Sequence, residues 1–201
     1  MNNSYRVKDH FFLKAKQEGY KARSVYKLQE IDQKFNVFPK KGNPSLILDL
    51  GCAPGSWSQW ISKHVPQALI VGVDEKPVTF TQKNTIFLQQ NAEQLNLEPI
   101  KEFLPSWPPL FDVVVSDMAP ATTGIKSVDQ ARSYHLCQVA IQVAQAYLKG
   151  GGNLVIKYFH GQEFEKLRQA LLKIFKVTHV YRPKSTRQES KEIFLIGMNR
   201  Y

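Results

Sequence analysis

Cysteine is scarce in this chain of 201 residues, which contains only Cys52 and Cys137. Two thiols cannot supply a disulfide framework or a structural zinc site, so we expect a reducing, cytoplasmic setting and no bound metal. Long apolar runs are missing as well, and none approaches the roughly 20 residues needed to cross a bilayer. The first residues, 1–6, lack the apolar core of a secretory signal. We therefore expect no membrane association.

Internal repeats and low-complexity stretches are also absent, so nothing divides the chain into separate units. Its length is that of one domain able to bury roughly 70% of its unfolded surface. We expect a single, monomeric domain over 1–201, with a basic N-terminal arm and helix (1–41) before the sheet.

Acidic residues are too few to balance the basic ones, and the net charge is +10. Residues 1–41 contain ten Lys or Arg against four acids, and residues 182–191 contain four against one. Aromatic rings lie among the first set of charges, which suits a polyanion that also offers flat bases for stacking. A solvated basic surface is the simpler alternative, but the segregation of the charge favours a nucleic acid as partner.

Four short apolar runs end in a charged residue, namely Asp49, Asp74, Asp117 and Lys157 in turn. Apolar runs separated by helical stretches indicate an α/β protein with a parallel sheet covered by helices on both faces. Ligands of such sheets bind beyond the carboxyl ends of the strands. The sequence therefore predicts a site where these four side chains converge.

The pattern along the chain predicts seven strands and six helices. The strands are 45–50, 69–73, 85–89, 111–116, 153–157, 176–181 and 192–197. The helices are 8–17, one that begins after Ser24 as its N-cap, 56–64, a weak one at 97–103, 128–148 and 161–174. Three glycines at 150–152 are expected to end the long helix.

The last strand, 192–197, follows its predecessor after a loop of only ten residues. A parallel return needs a longer crossover, so we expect this strand to be antiparallel in a mostly parallel seven-stranded sheet. An antiparallel strand starts at the edge where its parallel neighbours end. Glu192 should therefore join the converging set.

A glycine loop follows the first strand, in Asp49-Leu-Gly-Cys-Ala-Pro-Gly-Ser-Trp57. The glycines allow a sharp turn into a helix, and Asp74 has the position that binds a ribose in nucleotide-binding α/β folds. Pro54 removes one N–H that a pyrophosphate would use. An adenosine ligand without phosphates fits better, and S-adenosylmethionine is the common one. The alternative is an ordinary tight turn.

Methylation of a ribose hydroxyl requires that the hydroxyl lose its proton as the methyl group arrives. A lysine can accept that proton in its neutral form, which burial or nearby positive charge favours. Lys157 at a strand end, with Lys27 at the border of an apolar helix face, has the right chemistry. Taken singly, each such residue is more often a surface ion-pair partner.

Several motifs together resemble one family over nearly the whole chain. They are Arg23-Ser-Val-Tyr-Lys27, Asp49–Gln59, Ser116-Asp-Met-Ala-Pro120 with Gly124 and Asp129, Val155-Ile-Lys157 and Ser190-Lys-Glu192. This set is similar to the FtsJ-like RNA ribose 2′-O-methyltransferases, and most similar to the compact bacterial type that modifies a uridine of large-subunit ribosomal RNA.

The resemblance implies a Rossmann-like methyltransferase fold, S-adenosylmethionine as cofactor and ribosomal RNA or the large subunit as partner. It implies a catalytic tetrad of Lys27, Asp117, Lys157 and Glu192, with Lys157 as the base. The cofactor-binding residues would be Asp49, Gly51, Ala53, Pro54, Gly55, Ser56, Trp57, Asp74, Asn91, Ala92 and Asp117.

Two positions depart from the family pattern. Ser56 replaces the second glycine of Gly-Gly-Trp, which a helix start should tolerate. Asn91 stands where relatives often have an aspartate for the adenine amino group, and its carbonyl could accept the same bond more weakly. Three other functions stay open: a transfer-RNA or cap 2′-O-methyltransferase, a non-catalytic RNA-binding assembly factor and a small-molecule methyltransferase.

Overall fold

A central seven-stranded sheet organises the computed structural model, which describes residues 10–40 and 42–201. Its strands are β1 (Ser45–Leu50), β2 (Ala68–Asp74), β3 (Thr85–Gln89), β4 (Phe111–Ser116), β5 (Leu148–Phe159), β6 (Phe175–Tyr181) and β7 (Glu192–Arg200). The helices are α1 (His10–Gln17), α2 (Val25–Phe35), α3 (Ser56–His64), α4 (Lys126–Tyr147) and α5 (Phe164–Leu172), with short 3-10 helices at Ala92–Gln94 and Glu98–Phe103.

The strand order is β3-β2-β1-β4-β5-β7-β6, and β7 runs antiparallel to both of its neighbours. The other pairs are parallel. This confirms the expected sheet and its antiparallel last strand. The chain winds outward from β1 in one direction and then returns to β4 on the other side of β1. The strand order therefore reverses between β1 and β4, where α/β sheets form a ligand crevice.

Apolar side chains fill both faces of the sheet. Along β1, Leu46 and Leu48 belong to a cluster with α4 and α5, whereas Ile47 belongs to a cluster with α2 and α3. This alternation is the period of a strand covered on both faces. In α2, Val25, Leu28 and Ile31 are buried at helical spacing. Helices therefore cover both faces, as the sequence predicted.

One local prediction is wrong. The glycines at 150–152 do not end the long helix, because α4 ends at Tyr147 and the glycines lie inside β5. At Gly152 a side chain would meet Leu148 and the carbonyl of Asp112, so only glycine fits this strand. The weak helix expected at 97–103 is present as a 3-10 helix over Glu98–Phe103.

The expected start of α2 is present, because the helix begins at Val25 with Ser24 at the N-cap position. Ser24 already has helical φ and ψ angles, and its side chain makes no capping bond. Its hydroxyl instead contacts the hydroxyl of Ser56. Of the predicted helix 8–17, the structure describes the part from His10 onward, and the remainder of the basic arm, 1–9, lies outside the described residues.

No helix among the described residues combines the length and apolar character that crossing a bilayer would demand.

Candidate active site

A cavity of about 890 Å³ opens at the carboxyl ends of β1, β2 and β4. Its walls come from the glycine loop after β1, the segment after β2, the segment after β3, the loop after β4 and one face of α4. The lining residues include Gly51, Ala53, Asp74, Glu75, Asn91, Ala92, Glu93, Asp117, Met118, Arg132 and His135. The cavity therefore lies where the strand order predicts a ligand site.

The backbone N–H groups of the glycine loop hold it in place through hydrogen bonds, most of them to the end of β2. Gly51 and Cys52 donate to the carbonyl of Val73, and Gly55 donates to the carbonyl of Cys52. Ala53 donates to Oδ2 of Asp74 at 2.9 Å. Pro54 has no N–H, so every amide hydrogen between Gly51 and Gly55 is used within the protein. The loop therefore has none left for a pyrophosphate, which agrees with a ligand that lacks phosphates.

Two glycines of this loop are required by close contacts. Gly51 has φ +72° and Gly55 has φ +105°, both in the left-handed region that disfavours other residues. A Cβ on Gly51 would meet the backbone of Met118, and one on Gly55 would meet the ring of Phe80. Glycine at both positions thus lets the loop lie directly against the strand ends.

Acidic residues after β2 form the second wall. Asp74 accepts N–H bonds from Ala53 and, at 2.8 Å, from Lys76, so its carboxylate is fixed on both oxygens. The next residue, Glu75, accepts a hydrogen bond of 2.8 Å from Nδ2 of Asn91. Each carboxylate oxygen has further lone pairs, so both acids can still accept bonds from ribose hydroxyls.

Asn91 is oriented by two hydrogen bonds. Its Nδ2 donates to Glu75, and its Oδ1 accepts the N–H of Glu93 at 2.8 Å. Because Nδ2 points to Glu75, Oδ1 is the atom that can accept one more bond, as expected for an adenine amino group. Glu93 in turn lies 2.8 Å from Nε2 of His135 on α4. This contact joins the Asn91 wall to the helix.

The loop after β4 is fastened by two residues of α4. Asp129 accepts bonds from the N–H and hydroxyl of Thr123 and from the N–H of Gly124, and the bonds from Thr123 hold its pKa below the ordinary value. Arg132 donates to the carbonyl of Ala121 at 3.2 Å. Since Ala121 and Arg132 both line the cavity, these contacts shape its wall.

Two buried ion pairs contain the predicted tetrad. Nζ of Lys157 lies 2.9 Å from Oδ1 of Asp117 and also donates to the carbonyl of Asp117. Nζ of Lys27 lies 2.5 Å from Oε1 of Glu192. No side chain of the four is more than 18% exposed. Asp117 also lines the cavity, so the first pair adjoins the ligand space.

The strand register places both pairs on one face of the sheet. Lys157 lies opposite Phe194, and Phe159 lies opposite Glu192. Lys157 and Glu192 are thus diagonal neighbours whose side chains project from the same face. Helix α2, which carries Lys27, packs on that face in the cluster that contains Phe194. The structure therefore brings the four predicted residues together at one edge.

Asp49 is fully buried beside this edge. Its Oδ2 accepts a bond of 2.6 Å from Ser58, while Oδ1 has no partner among the described residues. The pKa of Asp49 is raised to about 7, mainly by burial and also by the charges of Asp117 and Asp74, while the bond from Ser58 opposes this rise. Asp49 therefore supports the loop from inside the protein and does not line the cavity.

The predicted cofactor residues fall into two groups. Gly51, Ala53, Asp74, Asn91, Ala92 and Asp117 line the cavity. Asp49, Pro54, Gly55, Ser56 and Trp57 do not line it. Trp57 is buried against α2 and donates from Nε1 to the carbonyl of Ser24 at 2.9 Å. Direct cofactor contact stays a prediction for both groups.

The sequence reasoning missed several residues that line the cavity, among them Glu75, Met118, Arg132 and His135. Glu75 directly follows Asp74 at the end of β2, and Met118 directly follows Asp117, the first residue after β4. Their places in the sequence could therefore have marked both as cavity residues. Arg132 and His135 are three residues apart on α4, and Val139 continues the same helix face into the cavity wall. That spacing was the available signal.

Solved structures that share this fold include methyltransferases. A protein of Plasmodium falciparum, provisionally named a ribosomal RNA methyltransferase, superposes with a TM-score of 0.77 at 30% identity, covering 90% of this chain and 98% of that one. Human methyltransferase-like protein 13, solved with S-adenosylhomocysteine, gives 0.57 at 15% identity over 78% and 72% of the two chains, which shows the fold alone. The protein has the Rossmann-like methyltransferase fold.

The family follows from the sequence relatives. The FtsJ-like methyltransferase profile matches residues 20–200, and the chain belongs to this family. The ribosomal RNA large subunit methyltransferase E of Bdellovibrio bacteriovorus is 50% identical over 199 residues, which cover 98% of this chain and 99% of the relative. That of Nitratidesulfovibrio vulgaris is 45% identical over 193 residues, with coverage of 95% and 92%. The resemblance noted from the motifs is thereby confirmed.

Proposed function

We propose that the protein transfers a methyl group from S-adenosylmethionine to a ribose 2′-hydroxyl of ribosomal RNA, at a uridine of the large subunit. The observation that carries this proposal is the Lys157–Asp117 pair, which adjoins the cavity and lies on the same sheet face as the Lys27–Glu192 pair. The names of the bacterial relatives support large-subunit ribosomal RNA as the substrate.

The cavity suits S-adenosylmethionine. Its volume of about 890 Å³ is within the range of small-ligand sites. Asp74 and Glu75 offer acceptors to ribose hydroxyls, and Oδ1 of Asn91 offers one to an adenine amino group. The glycine loop has no free amide for a phosphate between Gly51 and Gly55. When bound, S-adenosylmethionine supplies a methyl group on a positively charged sulfur, and that charge favours the neutral form of a nearby amine.

Lys157 is the proposed general base. In the reacting complex its neutral amine accepts the proton of the 2′-hydroxyl, so that the ribose oxygen becomes nucleophilic. Asp117 holds the amine through its carboxylate and its backbone carbonyl, which fixes the direction of the nitrogen lone pair. Burial of Lys157 keeps bulk water from competing for the proton.

The Lys27–Glu192 pair is proposed to position the ribose. Both side chains are nearly buried and belong to different elements, α2 and β7, so their contact closes the site on the side of the N-terminal helix. Lys27 can donate to oxygens of the nucleotide, and Glu192 can accept from a hydroxyl. This arrangement orients the target without taking part in the proton transfer.

Two alternatives within RNA biology remain distinguishable. A transfer-RNA or cap methyltransferase would use the same chemistry on another RNA, and a non-catalytic assembly factor would bind RNA without methyl transfer. The buried tetrad favours an enzyme over the assembly factor. A monomeric state, a single domain over 1–201 and a cytoplasmic location stay predictions.

The test is methyl incorporation from labelled S-adenosylmethionine into unmodified large ribosomal subunits, free ribosomal RNA and transfer RNA, followed by mapping of 2′-O-methyl positions. We expect one modified uridine in the ribosomal substrates. Incorporation into transfer RNA alone, or into a base rather than a ribose, would overturn the proposal.

A matched pair of lysine variants tests the base. Lys157→Ala should lower kcat by about 10²- to 10⁴-fold while S-adenosylhomocysteine still binds. Lys149 pairs with Asp112 across the same two strands, β5 and β4, near the other edge of the sheet. Lys149→Ala should therefore keep kcat within about twofold. Full activity in Lys157→Ala would show that another group accepts the proton.

A further inference from the structure

Helix α3 holds the segment before α2 through two side-chain contacts at Ser24. The hydroxyls of Ser24 and Ser56 lie 2.9 Å apart, and Nε1 of Trp57 donates to the carbonyl of Ser24 at 2.9 Å. Ser56 and Trp57 are 3% and 2% exposed, so little water reaches these bonds. Two consecutive residues of α3 thus grip one residue of the neighbouring segment.

The same helix makes two more contacts one turn further on. Oε1 of Gln59 accepts the N–H of Lys21 at 3.2 Å, and Nε2 of Gln59 donates to the carbonyl of Gly19 at 2.9 Å. The segment 19–24 is therefore bonded to α3 at both ends. A shift of α3 must carry this segment along or break these bonds.

The hydrogen bonds at Ser24 extend to Lys27. The carbonyl of Ser24 that accepts the Trp57 indole also accepts the backbone N–H of Lys27 at 3.1 Å. Ser56, the partner of Ser24, directly follows Gly55 of the glycine loop. The contact between the two serines therefore begins next to the proposed cofactor site. Three hydrogen bonds that meet at Ser24 thus connect the residues after the glycine loop to Lys27, which pairs with Glu192.

We propose that the Ser24–Ser56 hydrogen bond is a positioning contact, through which occupancy of the glycine loop sets the placement of Lys27 at the RNA site. The inference rests on the proposed function and adds an order to it: the methyl donor prepares the RNA site. The ligand involved is the nucleoside methyl donor, and the partner that gains affinity is the RNA. Ser56 and Ser24 act through Lys27 and touch no reacting atom.

A purely structural role predicts a different result. A bond between two neutral hydroxyls contributes only modestly to stability, and removal of both partners is nearly neutral. A packing role would therefore appear as a small change in melting temperature with unchanged ligand coupling. A positioning role appears as a change in the coupling between the two ligands, with stability nearly constant.

The experiment measures RNA affinity with and without S-adenosylhomocysteine, using full-length protein and large-subunit ribosomal RNA. The wild type should bind RNA at least about fivefold more tightly when the cofactor product is present. Ser24→Ala and Ser56→Ala should bring this ratio close to one and lower kcat about three- to tenfold. The affinity of Ser24→Ala for S-adenosylhomocysteine alone should stay within about twofold.

Three further variants make the test specific. The double variant should resemble either single one, because all remove the same bond. Ser24→Thr keeps a hydroxyl and should restore the ratio. Ser62→Ala removes another buried serine of α3, whose Oγ lies 2.5 Å from Oδ1 of Asn84, and should leave the ratio unchanged. If Ser56→Ala does not fold, the two Ser24 variants still decide the question.

Any one of four results would overturn the inference. They are an unchanged affinity ratio in Ser24→Ala, an equal loss of the ratio in Ser62→Ala, a wild-type ratio of one, and strictly additive losses in the double variant. Failure of the proposed function has another signature, since the wild type would then transfer no methyl group to RNA. If the wild type methylates RNA and Ser24→Ala keeps the wild-type affinity ratio, only the inferred coupling is overturned and the proposed function stands.

Discussion

Oγ of Ser58 donates a hydrogen bond of 2.6 Å to Oδ2 of Asp49, and no other side chain among the described residues bonds to this completely buried carboxyl group. Burial in an apolar environment disfavours the charged form, which raises the pKa of Asp49 to about 7. The charges of Asp117 and Asp74 act in the same direction. The residue at the start of the glycine loop therefore takes up a proton near neutral pH.

This relationship predicts a pH-dependent stability. In the unfolded chain an aspartate titrates near 3.9, so between about pH 4 and 7 the folded protein keeps a proton that the unfolded chain has lost. The contribution of Asp49 to the free energy of unfolding should fall with rising pH in this window, by up to about 1.4 kcal/mol per unit, and level off above pH 7.

Asp49→Asn provides the comparison, because an amide of the same shape does not titrate. Denaturant unfolding of both proteins from pH 5 to 8 should give curves whose difference changes below pH 7 and is constant above it. Parallel curves over the whole range would mean that Asp49 is ionised throughout.

The Lys27–Glu192 pair predicts strong coupling in a double-mutant cycle. Removal of either partner leaves a charge at a site that is 13% or 10% exposed, which should lower the free energy of unfolding by roughly 3 kcal/mol. Lys27→Ala with Glu192→Ala leaves no isolated charge and should be less destabilised than the sum of the single variants. Chemical denaturation of the four proteins measures this. Additive effects would show that the two charges do not interact.

The Asp74 carboxylate predicts a specific loss of cofactor affinity. It fixes the N–H groups of Ala53 and Lys76, each through a bond to a charged acceptor. Asp74→Ala frees the glycine loop and should weaken S-adenosylhomocysteine binding by about 10- to 100-fold in calorimetric titration. Asp112 is the matched control, because it accepts the N–H of Leu46 near the opposite edge. Asp112→Ala should change the affinity less than about threefold, and equal losses would mean general destabilisation.

Much of this arrangement could be predicted from the sequence because it follows from strand direction. The ten-residue loop before β7 excluded a parallel return, and this placed Glu192 at the edge where the parallel strands end. The β1 loop and Asp74 followed from the same rule. Such features depend on backbone geometry, which short patterns encode well.

Other features depend on packing that no local pattern contains. The glycines at 150–152 match a helix stop, yet they lie in β5. Gly152 packs there against the backbone of Asp112 in β4, where a larger residue would not fit. Trp57 belongs to a motif of the cofactor loop, but its indole is directed to Ser24 since α2 covers that face. For the same reason, the hydroxyl of Ser24 contacts the hydroxyl of Ser56 and makes no capping bond to α2. Each of these outcomes needs the position of a distant element.

The basic surface gives the last prediction, which concerns salt. Lys16, Lys21 and Lys184 are exposed, and they belong to the two segments that hold most of the net charge. If they contact RNA phosphates, the triple alanine variant should bind RNA more weakly and reduce the slope of log affinity against log salt by up to about 2 to 3, since each phosphate contact contributes 0.7 to 0.9. S-adenosylhomocysteine binding should be unchanged. Filter binding between 50 and 200 mM salt, roughly the range in which such contacts weaken, measures the slope.

A second triple variant supplies the matched control. Lys166, Lys173 and Lys176 are also exposed, but they lie outside both basic segments: Lys166 on α5, Lys173 directly after α5 and Lys176 on β6. Their replacement by alanine removes the same charge from the protein. Because non-specific attraction depends on net charge and bound phosphates depend on position, this variant should keep nearly the wild-type slope. Identical slopes for the two triple variants would show that RNA responds to the total charge rather than to the segments beside Lys27 and Glu192.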